Sequence, residues 1–263
     1  LTFDGINPTN GFQPLWLYFL LPLAWVFRDA SPENYFRAAL VYQAVIVIAA
    51  GLPLFFALKR VTSLPVALVT LAGFYVFSRH QFMNGMETGC LVLCSNLLLA
   101  YTLQYRIFIN YNLLAALGFG GLLGLLLLAR LDMIFLIAAI YLFVAGRVWA
   151  LWRAGANISA IVRDAVLSLI ALIAVSAPYF VYNKLVFGAM MPISGALKNS
   201  FPYVVQPEFG LNRFNVRSLI AVGAALAFCL WYLFILRSRL SVYADGTRLL
   251  YLAAFVSALT TLI

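Results

Sequence analysis

Long apolar runs, each near the length that crosses a bilayer and each cut off by a polar turn, constrain this chain more than any motif it contains. About 20 apolar helical residues span the ~30 Å hydrocarbon core, where a helix satisfies its own backbone hydrogen bonds without water. Runs at 35–58, 61–77, 87–105, 111–129, 133–145, 165–182, 218–236 and from 249 onward meet or approach that requirement. With 65% apolar residues, 10% charged ones and a mean hydropathy of +1.01, the composition lies outside the soluble range. The expected fold is all-α: one polytopic transmembrane helical bundle over 1–263, with about eight crossings.

The segments between the runs carry the polar chemistry. Residues 1–14, rich in glycine, proline and asparagine, read as the end of an external loop that presents Asp4, Asn7, Thr9, Asn10 and Gln13. The run 15–27 is too short to cross and is expected to be interfacial or re-entrant, with Trp16, Tyr18 and Trp25 at headgroup level. Segment 146–164 combines Arg147, Arg153 and Arg163 with Trp149 and Trp152, the pattern of an amphipathic helix lying on the membrane surface. Residues 183–217 form a polar stretch too long for a mere connector.

If 15–27 does not cross, parity places 1–34, 78–87, 130–132 and 183–217 on one side. Lys59, Arg60, Arg106 and the segments 147–163 and 237–248 then share the other. The second side is basic and nearly free of acids, as cytoplasmic loops are. Six of the eight acids, Asp4, Asp29, Glu33, Glu87, Asp132 and Glu208, fall on the first. That segregation predicts a polar chamber on the outer face of a plasma or inner membrane.

The net charge of +9 is scattered between apolar runs without a basic patch, which argues against nucleic acid and for topology signals and contacts to membrane lipid. Cys90 and Cys94, four apart, and Cys229 read as small packing residues, because no further ligand stands at metal spacing. The glycines at 118, 120 and 121 lack the preceding strand of a nucleotide loop, whereas Gly120 and Gly124 have the spacing that lets helices approach closely. The sequon at Asn157 falls on the inner side and is expected to be unused.

Glu87, within Asn84-Gly85-Met86-Glu87-Thr88, sets a carboxylate between two apolar runs, and an ionisable group so near hydrocarbon is a functional candidate. The same residues also fit a capping box at the start of the next helix. Arg130-Leu131-Asp132 has a similar double reading, as a site or as a local ion pair that ends a helix. His80, beside Arg79, reads either as a membrane-interface side chain or as part of a site, and Lys198 as either a solvated loop charge or a phosphate contact.

Taken in order, four segments resemble the GT-C superfamily of polytopic glycosyltransferases, which take sugar from a polyprenyl phosphate carrier. The stretch from Asp4 through Asn10, Gly11 and Gln13 to Trp16 is similar to the end of the first external loop in bacterial members. Gly85-Met86-Glu87-Thr88 resembles the Gly-Met/Leu-Glu-Thr motif of the arabinofuranosyltransferase-like and uncharacterised branches, and Arg130-Leu131-Asp132 a recurrent Arg-x-Asp at an outer helix junction. Asn183, Phe187-Gly188, Pro192, Ser194 and Lys198 match the Asn, Phe-Gly, Pro-x-Ser and Lys of a later segment. These enzymes usually carry an acidic pair just upstream of the first of these segments. The chain opens on Leu1, so that pair, with the principal catalytic base and the first helix, is expected to precede it.

The resemblance implies transfer of a monosaccharide from a polyprenyl-phosphate-linked donor to an extracytoplasmic glycan, lipid or protein. It assigns Glu87 an auxiliary catalytic role and Asp4, Asn10, Gln13, Arg79, His80, Arg130, Asp132, Ser194 and Lys198 to substrate binding. Some members use a divalent metal ion, for which this sequence offers no complete ligand set. The alternatives are a secondary transporter with Glu87 and Asp132 as a proton relay, or a non-catalytic subunit of an envelope-glycan assembly.

Overall fold

Some helix ends in this chain are written in residues that satisfy free backbone groups, and the structure, a computed structural model, shows them at work at α2, α5 and α7. It describes residues 13–78, 87–110 and 112–190, all belonging to one unit, Leu1–Leu197. Every regular element among the described residues is helical: α1 (Pro14–Val26), α2 (Pro32–Val61), α3 (Leu64–Ser78), α4 (Thr88–Tyr105), α5 (Leu113–Ala129), a 3-10 turn (Leu131–Met133), α6 (Ile134–Arg153) and α7 (Ser159–Phe187). Ser31 opens α2 by accepting the Asn34 N–H at 3.3 Å, with Pro32 in the first turn where its missing donor costs nothing. Asn112 caps α5 through the Ala115 N–H at 3.1 Å. Gly188, at φ +73°, closes α7 in the left-handed conformation that glycine adopts without penalty.

The bundle is built on α5, which packs most extensively against α7 and next against α4. Phe119, Leu123 and Leu126 of α5 are fully enclosed. Contact with α7 is close because Gly120 and Gly124 have no side chains. A Cβ on Gly120 would collide with the Ser168 carbonyl, and one on Gly124 would stand 2.7 Å from the Val175 Cβ. The order of these contacts, 120 on 168 and 124 on 172 and 175, makes α5 and α7 parallel.

Polar bonds register the other pairs. Asn96 of α4, buried, donates to the Ala50 carbonyl of α2 at 2.8 Å, and Gly89 lies against Gln43 and Val47, so α2 and α4 are also parallel. Tyr75 of α3 donates to the Ile48 carbonyl at 2.8 Å, and Tyr101 of α4 to the Leu114 carbonyl of α5 at 3.5 Å. Because α4 meets α2 only from about Gln43, the first eleven residues of α2 stand beyond the start of α4, about 16 Å of helix. Large apolar side chains, among them Ile48, Leu52, Phe135, Leu142 and Ile173, are exposed on the outside, as on helices that face lipid.

Among the described residues four helices are long and apolar enough to cross a membrane: Pro32–Arg60, Thr88–Tyr105, Leu131–Arg153 and Ser159–Phe187. The described residues are therefore all-helical, with helices of the kind that make a membrane protein. The expectation of eight crossings is not met among the described residues. The runs at 61–77 and 111–129 form α3 and α5, helices of 15 and 17 residues that fall short of the usual span, and the runs at 218–236 and beyond 249 lie outside the described residues. The short run after Gln13 is the 13-residue α1, about 20 Å long.

Two boundaries differ from the sequence reading. The basic segment 146–164 is not a separate surface helix: α6 continues through Arg147, Trp149 and Trp152 to Arg153, and α7, starting at Ser159, carries Arg163. Likewise α7 runs five residues into the supposed loop at 183–217, ending at Phe187. A helix can carry long basic and aromatic side chains without a break, their polar tips reaching toward water, so their appearance in sequence does not mark its end.

Gly120→Leu is expected to cost about 1–3 kcal/mol, since the obstacle is backbone and cannot swing aside. A Cβ on the adjacent Gly121 meets nothing within 4 Å, so Gly121→Ala should leave stability equal or slightly raised. Thermal unfolding of the two variants in detergent measures the contrast.

Candidate functional site

Helix direction decides which polar groups can share a site. With α4 antiparallel to α5, and α5 parallel to α7, the starting end of α4, the finishing end of α5 and the finishing end of α7 coincide. Glu87, the Arg130–Asp132 turn and Asn183 therefore lie at the same end of the bundle. Gln13 joins this end, because Trp16, one turn on in α1, stacks on Tyr42 of α2 with centroids 6.5 Å apart, beside the Gln43 that touches Gly89.

Glu87 occupies the N-cap position of α4 itself, with φ −61° and ψ −8°, and its side chain makes no capping hydrogen bond. The capping-box geometry, which would put Glu87 inside the first turn reaching back, is not the one adopted. Its carbonyl accepts the Leu91 N–H at 3.1 Å, and the half-buried carboxylate stands at the positive end of the helix dipole.

Arg130 ends α5, its N–H bonded to the Leu126 carbonyl at 3.1 Å, and its guanidinium pairs with Asp132 at 2.8 Å across the tight turn into α6. The side chains are 26% and 44% exposed. The local ion pair anticipated from the Arg-x-Asp spacing is thus present, and both partners remain within reach of a ligand.

Buried polar atoms gather at the same end. Gln13 Oε1 and Asn183 Oδ1 are enclosed without a hydrogen-bond partner, although Asn183 Nδ2 donates to the Met190 carbonyl at 3.3 Å. The Tyr179 hydroxyl faces Asn183 one turn away without completing a bond to it. A buried acceptor left unmade is costly, about 1–3 kcal/mol, and marks a place where a donor-rich ligand gains more than elsewhere.

Of the sequence-predicted site residues, Gln13, Glu87, Arg130 and Asp132 are brought to one end, while Asp4, Asn10, Arg79, His80, Ser194 and Lys198 lie outside the described residues. Tyr179 and the burial of Asn183 were missed, as were two polar groups nearer the other end. Asp164, 2% exposed, accepts Arg163 at 2.8 Å, and Ser168 bonds Tyr141 at 2.9 Å. Their signal was positional: 164, 168, 176 and 183 fall on one stripe of α7 at spacings of four, eight and seven. Among the described residues no three His, Cys, Asp or Glu side chains converge, so they offer no metal site. No family model matches the chain, nor does any curated protein or solved structure.

The partly exposed Arg130–Asp132 pair should contribute little to stability, so Asp132→Asn is expected to change it by less than about 1 kcal/mol. Asn183→Leu, which removes an unmatched acceptor, should be neutral or slightly stabilising in the ligand-free protein. Chemical denaturation of both variants in detergent checks these values.

Proposed function

We propose that the chain is part of a GT-C-like membrane glycosyltransferase, moving a monosaccharide from a polyprenyl phosphate to a glycan, lipid or protein acceptor outside the cytoplasm. The observation that supports this reading is the meeting of Glu87, Arg130, Asp132 and the unmatched acceptors of Gln13 and Asn183 at one end of an otherwise apolar bundle.

Each group suits a step of that chemistry. A sugar presents many hydroxyl donors, and buried amide oxygens such as those of Gln13 and Asn183 accept them. The leaving group is a phosphate, which a guanidinium binds through two parallel N–H bonds, and Asp132 holds Arg130 in place for that task. Stabilising charge as it develops on the leaving oxygen is where such a cation lowers the barrier most. Glu87 assists proton transfer from the acceptor or orients the sugar. Ser194 and Lys198, both outside the described residues, keep in this reading the substrate-binding role that the resemblance implies, and the outer face of a plasma or inner membrane is its setting.

Full-length enzyme carrying Glu87→Gln or Lys198→Ala should insert normally and lose transfer by about tenfold to a thousandfold, the range spanned by single catalytic donors and bases. The assay is transfer of labelled sugar from a polyprenyl-phosphate donor in membranes. Unchanged transfer in both variants would remove these residues from the site.

A further inference from the structure

Between α6 and α7, near the end opposite Glu87, the two helices part and leave an open apolar groove of about 500 Å³. Val144, Val148 and Trp152 line it from α6, and Ile158, just before α7, with Val162 and Ala165 of α7. The volume lies within the ~300–1,000 Å³ of sites that hold small ligands. Along α6 the lining extends from Tyr141 to Trp152, about 16 Å and close to half the ~30 Å hydrocarbon thickness. An occupant of that length belongs to a single leaflet.

Aromatic and basic groups mark the mouth. Trp149 and Trp152 are 53% and 63% exposed, as headgroup-level tryptophans are. The Arg153 guanidinium lies over the Trp149 ring at 4.2 Å. Residues 146–164 hold three arginines, Arg147, Arg153 and Arg163, against one acid, Asp164, which is buried and bound by Arg163. The rim is therefore cationic above an apolar floor, which matches an anionic headgroup on an acyl chain.

The geometry points to a binding site for one anionic phospholipid, its acyl chain in the α6–α7 groove and its headgroup phosphate against Arg153. α6 carries Arg153 at the end opposite Arg130, so this lipid is separate from any donor bound at the Glu87 end. The inference stands whether or not the chain transfers sugar.

The test uses the full chain in detergent with phosphatidylglycerol or phosphatidylcholine carrying a photoreactive acyl terminus, followed by peptide mapping. Phosphatidylglycerol should label residues 141–166, and unlabelled phosphatidylglycerol should compete about fivefold better than phosphatidylcholine, the factor for one cation near an anionic lipid. Arg153→Gln should abolish that preference, and Ala165→Phe, which fills the groove, should abolish labelling there. Equal competition by the two lipids overturns the assignment, as does labelling outside α6 and α7 or undiminished labelling of Ala165→Phe. An absence of label with a cysteine cross-link from Val162 to another segment or a second copy overturns it too, by giving the groove to protein.

Discussion

Close approach of α5 to α7 is the contact on which the remaining arrangement rests. Lipid tails are as apolar as leucine, so helices in a membrane gain little by hiding apolar surface and much by fitting backbone to backbone. Gly120 and Gly124 supply that fit, Gly120 against Ser168, which is small and back-bonds within α7 at 2.8 Å, and Gly124 against Val175 and the Leu172 carbonyl. The parallel direction it fixes brings the end of α7 beside the end of α5. Without that register, Asn183 and the Arg130 turn would not share a level.

Polar groups follow from this arrangement at two depths. Within the bundle they hold helices in register one bond at a time: Asn96 to Ala50, Tyr75 to Ile48, Tyr141 to Ser168. Each is answered by a partner, as a hydrogen-bonding group must be where water is excluded. At the Glu87 end the rule relaxes, with acceptors enclosed and unmatched on both α7 and the residue preceding α1. Among the described residues, the region that tolerates such a deficit is where binding chemistry is best sought.

Much of this was legible in the residues. The runs announced helices, Gly120 and Gly124 announced a close contact, and Arg130 with Asp132 announced a pair at a helix junction. What escaped notice has a common physical origin. An α5 apolar on every side carries no stripe to say which neighbour it prefers, so its place at the hub came only from the fold. The helix ends at Arg153 and Phe187 were set too early because arginine, tryptophan and asparagine were read as exits from the membrane. Asn183 was legible as part of a motif but not as a buried residue, since enclosure depends on the helix beside it.

The uneven height of α2 and α4 has a consequence for access. Since α2 rises about 16 Å past the point where Gly89 meets it, the carboxylate two residues before that glycine lies well below the first turn of α2. If the top of α2 marks the aqueous boundary, a molecule arriving from solution must descend to reach Glu87. One already anchored in the bilayer need only slide sideways between helices, and the architecture favours that lateral visitor.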